Sequence, residues 1–129
     1  MNLIYREEVH GIVGACFEVY NEPGSGFLED VCQKALEREL AIREIPFESK
    51  PKLGIFYKGG LLRKKYEPDI VLYSKIILEI KALKVLNDDH RSQVQNYLKV
   101  SRYQVGLLSN FGKPQKLEYG RIVRTQPSS

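Results

Sequence analysis

Residues 66–81, YEPDIVLYSKIILEIK, constrain the fold of this chain more than any other stretch. Two apolar runs lie back to back, divided by a short turn near Ser74 and Lys75. Their length and their β-branched content predict a pair of strands. Each run carries charge that a sheet interior disfavours. Asp69 follows Pro68 at the head of the first, and Glu79 and Lys81 flank Ile80 in the second. Side chains alternate between the two faces of a strand, so Glu79 and Lys81 emerge together. If the two runs pair through the turn, Asp69 joins them. An ionised carboxylate in a central strand needs a cation as partner. Two carboxylates and an ammonium on one patch outline a site for a divalent metal and for phosphate chemistry. A plain Glu79–Lys81 ion pair on a half-exposed strand is the simpler alternative, and it leaves Asp69 unexplained.

The rest of the chain is read outward from this stretch. Ile76 to Lys81 is the most apolar strand and belongs at the centre of a sheet. Leu61 to Tyr73 reads as one long strand bent at Pro68, because proline removes a ladder donor. Ile45 to Glu48 and Lys52 to Tyr57 are shorter strands, and Lys58-Gly59-Gly60 is a hairpin turn. Upstream, Val9, Ile12, Val13, Cys16, Phe17 and Tyr20 recur at three- and four-residue steps, predicting a helix from about Leu3 to Tyr20. The segment NEPGSG, from Asn21 to Gly26, stops it. A second helix from Phe27 to Leu40 repeats the period through Val31, Cys32, Leu36 and Leu40. Glu29 stands at the edge of its apolar stripe, with Gln33 one turn on.

Downstream, Asn87-Asp88-Asp89 caps a helix running to about Val100, with His90, Gln93, Val94, Tyr97 and Leu98 on one broad face. Tyr103 to Ser109 is a further buried strand, reached by a right-handed crossover if it runs parallel to its neighbour. Leu117 to Val123 adds an edge strand. The expected class is α/β, a central mixed β-sheet flanked by helices. Residues 1–124 form one domain and 125–129 a frayed tail.

Composition narrows the function. A chain of 129 residues is one domain by size. A net charge of +4 permits an anionic partner without demanding one. Two cysteines in helical stripes and two histidines argue against a disulfide framework or a zinc site. They also leave no basis for a Cys32–His90 thiol enzyme. Glu7 and Glu8 interrupt the place where a signal peptide needs an apolar run, and no run reaches membrane-spanning length. A cytoplasmic protein without membrane contact is the expectation.

Glu29 on a helix, then Asp69, then Glu79-Ile80-Lys81, then Gln93 and Tyr97 four apart resemble the PD-(D/E)XK nuclease superfamily. From about Val9 to Val123 the chain is similar, more narrowly, to the bacterial and archaeal GxxExxY family. The stretches that carry the likeness are GSGFLEDVCQKALEREL, FYKGG, EPDIVL, LEIKAL, HRSQVQNYLK and VGLLSNFG. One departure is plain: the tyrosine of the naming motif is Cys32 here, after Gly26 and Glu29.

The resemblance implies a restriction-endonuclease-like core and hydrolysis of phosphodiester bonds in nucleic acid, DNA more than RNA, with Mg²⁺ or Mn²⁺. Its alternative is a non-catalytic nucleic-acid-binding or protein-interaction module that keeps the fold. Asp69, Glu79, the Ile80 carbonyl and Glu29 are the implied metal ligands. Lys81 is implied to hold the attacking water, while Gln93 and Tyr97 line the cleft and His90 assists. Lys58, Arg63, Lys64 and Lys65 along the hairpin, with Arg91 on the later helix, suit phosphates without reading bases. Solubilising charge on an edge hairpin is the competing reading. A homodimer would help cut both strands of a duplex.

Overall fold

The computed structural model describes residues 4–22 and 28–125. The expected helix starts at Leu3 and Phe27, the stop from Pro23 to Gly26 and the tail beyond Thr125 lie outside them. Helix α1 spans Arg6–Asn21 and buries Ile12, Ala15, Cys16, Val19 and Tyr20. Helix α2 spans Glu29–Ile42 and buries Cys32, Gln33, Leu36 and Leu40. In both helices these residues recur at the helical period, so each offers one stripe to a shared core. Cys16 and Cys32 are free thiols inside it.

Strands β1 (Phe47–Ser49), β2 (Leu53–Tyr57), β3 (Gly60–Tyr66), β4 (Ile70–Leu72) and β5 (Ile76–Lys81) follow. Helix α3 (Asp88–Ser101) and strands β6 (Val105–Asn110) and β7 (Glu118–Val123) complete the chain. Five strands form the main sheet in the order β1-β4-β5-β6-β7, and β2 and β3 form a separate hairpin. The apolar β5 takes the central place, antiparallel to β4 and parallel to β6. Helix α3 makes the crossover between the two parallel strands. Strand β7 closes one edge, antiparallel to β6.

The expected single strand from Leu61 to Tyr73 does not form. The chain leaves the hairpin after Tyr66 and enters the main sheet at Ile70. Glu67, Pro68 and Asp69 bridge the two sheets. Proline has no N–H to give a ladder, so the bend expected at Pro68 becomes a complete break. The turn from β4 to β5 is tight. The Lys75 N–H donates to the Leu72 carbonyl at 3.0 Å, and Tyr73 and Ser74 both take left-handed backbone, φ 54° and 56°. Two such residues in succession match the twist of a short hairpin.

The two faces of the sheet are covered differently. Ile70, Leu72, Ile76, Leu78, Ile80 and Leu107 face α1 and α2 in the larger core. Val71, Ile77, Leu108 and Ile122 face Val94 and Leu98 of α3, together with Tyr66 at the base of the hairpin. Gly106 lets α3 lie close, since a Cβ there would sit 2.6 Å from Val94 Cγ1. Asn87 caps α3 by accepting from the Asp89 and His90 N–H groups. His90 Nδ1 accepts from the Asn87 N–H in return. No helix among the described residues is long and apolar enough to cross a membrane.

Candidate active site

The register of β4 on β5 pairs Ile70 with Leu78, which sets Asp69 beside Glu79 at the end of the ladder. Ile77 packs toward α3, so strand alternation turns Glu79 and Lys81 to that same side. The Asp69 N–H donates to Glu79 Oε1 at 3.1 Å, and the Ile80 N–H donates to Asp69 Oδ2 at 2.7 Å. The Asp69 carbonyl is held separately. It accepts from Gln33 Nε2 of α2 at 2.9 Å and from the Lys50 N–H at 2.9 Å. Backbone and side chain of Asp69 are therefore anchored by α2, by β5 and by Lys50 in the loop after β1.

Glu79 is only 6% exposed. Burial, and next the adjacent Asp69 carboxylate, push its pKa up to about 8, against the opposing pull of the Asp69 N–H and Lys81. The ion pairs among the described residues are Lys34–Glu37, Arg43–Glu39 and Lys75–Glu8. A Glu79–Lys81 bridge is not one of them, which removes the simpler alternative for these two charges.

Tyr97 of α3 faces the same cluster. Burial, then Glu79 and Asp69, raise its pKa. Its ring lies against Tyr66, with centroids 3.6 Å apart. The Tyr66 hydroxyl is buried without a hydrogen-bond partner, and burial followed by Glu79 lifts its pKa far above the ordinary range. Gln93 sits one turn before Tyr97 on the same side of α3 and is half-buried.

Glu29 enters from the first turn of α2. Its pKa is raised by desolvation and by Asp69, while Lys81 and Lys50 draw it down. It thus shares the field of the strand residues. It does not complete a cage, however: among the described residues no three His, Cys, Asp or Glu side chains are grouped closely enough to hold a metal ion. The pair Asp69 and Glu79 still fits a hard divalent cation. Mg²⁺ takes one or two carboxylates and keeps several waters. The mutual repulsion that lifts Glu79 is the kind of strain a cation there would relieve.

Lys58, Arg63, Lys64 and Lys65 are exposed on the β2–β3 hairpin, whose second strand ends at Tyr66. Arg91 is not with them. Its guanidinium lies over Gly120 of β7, where a Cβ would meet Nη1 at 2.5 Å, and it contributes to the field at Glu118. His90 serves the helix cap.

Two residues of the site are not assigned to it by sequence. Gln33 is a buried amide within an apolar stripe, and that misfit is its signal. Tyr66 precedes Pro68 and Asp69 too closely to be an ordinary strand tyrosine, but its place depends on α3 docking against the hairpin.

The PD-(D/E)XK nuclease superfamily model matches residues 6–122. The crystal structure of SSO0001 is similar at 21% sequence identity and a TM-score of 0.61, covering 76% of this chain and 50% of that one. At that identity the likeness shows a common fold, and this chain spans about half the length of that chain. No curated protein matches the sequence. With the family match running from α1 into β7, the chain belongs to the PD-(D/E)XK nuclease superfamily.

Proposed function

We propose that the protein is a metal-dependent nuclease that hydrolyses phosphodiester bonds in nucleic acid, DNA in preference to RNA. One observation carries this reading: Asp69, Glu79 and Lys81 lie on one face of the sheet, with the two carboxylates in register and, among the described residues, no ion pair absorbing the lysine. Asp69 and Glu79 would hold Mg²⁺ or Mn²⁺. The N–H and C=O of one strand residue point the same way, so the Ile80 carbonyl faces Asp69 and adds a third oxygen. Glu29 would act through a bound water. A divalent ion so held supplies Lewis-acid polarisation of the phosphate and acidifies a water ligand.

The chain's own groups do the rest. Lys81 orients the attacking water and meets negative charge as it grows on the phosphate oxygens. Asp69 is kept from rotating by the Ile80 N–H, which fixes the carboxylate before substrate arrives. Tyr97 and Gln93 form the wall against which a phosphate would rest. The GxxExxY likeness, a cytoplasmic setting, a single domain over residues 1–124 and a homodimer belong to the same reading.

The test is incubation of the purified protein with labelled single- and double-stranded DNA and RNA in Mg²⁺ or Mn²⁺. Cleavage that disappears in both Asp69→Ala and Lys81→Ala is expected. Cleavage that survives both overturns the site. Among the described residues Glu29 does not join Asp69 and Glu79 in a cluster of three acids, which favours the alternative, a nucleic-acid-binding or protein-interaction module that keeps the fold. Absence of both cleavage and metal binding by calorimetry would decide for it.

A further inference from the structure

The β2–β3 hairpin combines two properties, positive charge and exposed apolar surface. Residues 50–66 hold six of the twenty Lys and Arg and none of the sixteen acids. The net charge of the chain is +4, so its whole positive surplus lies in this segment. The same segment exposes large apolar side chains: Phe56 is 71% exposed, Tyr57 63%, Leu61 58% and Leu62 41%. Phe56 and Tyr57 are followed directly by Lys58 at the turn, and Arg63, Lys64 and Lys65 form one run along the returning strand.

The register shows how they are arranged. Phe56 pairs with Leu61, and Gly54 with Lys65. Leu61 therefore lies on the face of Phe56, and Lys65 on the face of Gly54, which turns the same way as Phe56; Arg63 lies between them, where the register shifts. The Leu61 side chain closes over Gly54, where a Cβ would lie 2.8 Å from Leu61 Cδ1. Leu53 and Ile55 turn inward to the second core and anchor the hairpin. Its outer face is thus an apolar platform of Phe56 and Leu61 that continues toward Lys65. At the tip, the Lys58 ammonium lies 5.5 Å from the Tyr57 ring centroid. Strand β3 then runs back to Tyr66, three residues before Asp69.

We propose that this hairpin is a single-strand-binding arm: Phe56 on its outer face and Tyr57 at its tip each stack on an unpaired base while Lys58, Arg63, Lys64 and Lys65 neutralise the flanking phosphates. Aromatic faces with neighbouring cations match the chemistry of single-stranded nucleic acid, which presents its bases and its charges together. Duplex offers such a surface phosphates and base edges but no free base face, because its bases are already stacked. A second copy of the chain is disfavoured as the occupant, since it would bring the same cations against these. The inference names the substrate class of the proposed nuclease and rests on that reading, namely single-stranded or unpaired segments delivered to Asp69.

The experiment measures binding in chelator, so that it does not depend on cleavage. Fluorescence anisotropy is read for oligothymidylate and oligouridylate of about twenty nucleotides and for a duplex of similar length. Single strands should bind more tightly than duplex. Phe56→Ala with Tyr57→Ala should weaken single-strand binding roughly tenfold for each base that no longer stacks, with the salt dependence unchanged. Arg63→Ala with Lys65→Ala should instead flatten the slope of log K against log salt by roughly 0.7 for each phosphate no longer neutralised. Both double variants change exposed side chains, and an unaltered melting curve checks that they fold.

Duplex binding as tight as single strands, with no effect of the aromatic pair, overturns the proposal, as does failure of every oligonucleotide to bind. An aromatic variant that converts a dimer to a monomer without changing oligonucleotide affinity assigns the hairpin to self-association and also overturns it. The two readings fail separately. Binding without metal-dependent cleavage defeats the nuclease and leaves the arm, whereas cleavage indifferent to Phe56 and Tyr57 defeats the arm and leaves the nuclease.

Discussion

The two faces of the main sheet are built by opposite rules from the same strands. Toward α1 and α2, Ile76, Leu78 and Ile80 enter a broad apolar core with Ile12, Leu36 and Leu40. Toward α3, β5 gives Ile77 to a smaller core and then Glu79 and Lys81 to the site. One strand serves both because its side chains alternate, so the packing face and the chemical face are separated by a single residue step. The apolar face bears most of the hydrophobic stabilisation. The other face holds a buried carboxylate with a raised pKa and a tyrosine hydroxyl without a partner, which are costly features for a core.

The sharpest way to break this division is to alter one face and watch the other. Lys81→Ala should lower the cleavage rate roughly 10²- to 10³-fold while thermal melting hardly moves. A large loss of stability would mean that Lys81 is structural and that the faces are not separable. The reciprocal change is Leu36→Ala, a fully buried residue of α2. It should cost about 2–5 kcal/mol in denaturant unfolding, with the rate per folded molecule preserved.

A pH experiment sharpens the contrast next. Glu79 binds its proton more tightly in the fold than in the unfolded chain, its pKa rising from 4.5 to about 8. Between those values the folded state holds more protons, so the metal-free protein should lose stability as pH rises through that window. Glu79→Gln should remove the slope, and a slope that persists would place its origin elsewhere.

The smallest expected effect is that of Gln33→Ala. The Asp69 carbonyl keeps the Lys50 N–H, so the loss of stability should be about 1 kcal/mol. Metal affinity by calorimetry should fall by about tenfold or more, because a ligand loses part of its support. Unchanged affinity would show that α2 does not position the site.

Much of this arrangement is legible in sequence where the signal is local. The near-continuous apolar run of IILEIK gives the central strand, and strand alternation gives the common face of Glu79 and Lys81. The Asn87 cap and the helix after it follow from side-chain chemistry, and the cap also explains His90. Partnership is what a single sequence does not carry. Leu61 to Tyr73 looks continuous because each residue suits a strand, and only the pairing of β3 with β2 and of β4 with β5 divides it. Gln33 and Tyr66 owe their places to elements distant in sequence. Arg91 reads as one more surface cation, and only the packing of α3 on β7 lays it over Gly120.

Ile80 has a consequence for how such a protein can change over time. Its side chain is sealed in the α1–α2 core, and its N–H grips the Asp69 carboxylate on the opposite side of the sheet. The grip is made by main chain, so drift at position 80 is free to swap one aliphatic residue for another without rewriting the site. The strand itself is not free to slide. A repacking of α1 or α2 that shifted β5 by a fraction of an ångström would be transmitted to a carboxylate that no helix of that layer touches through its side chain. Selection on the site would then act as selection on the packing behind it, and neutral variation in the apolar layer should be narrowest beneath Ile80.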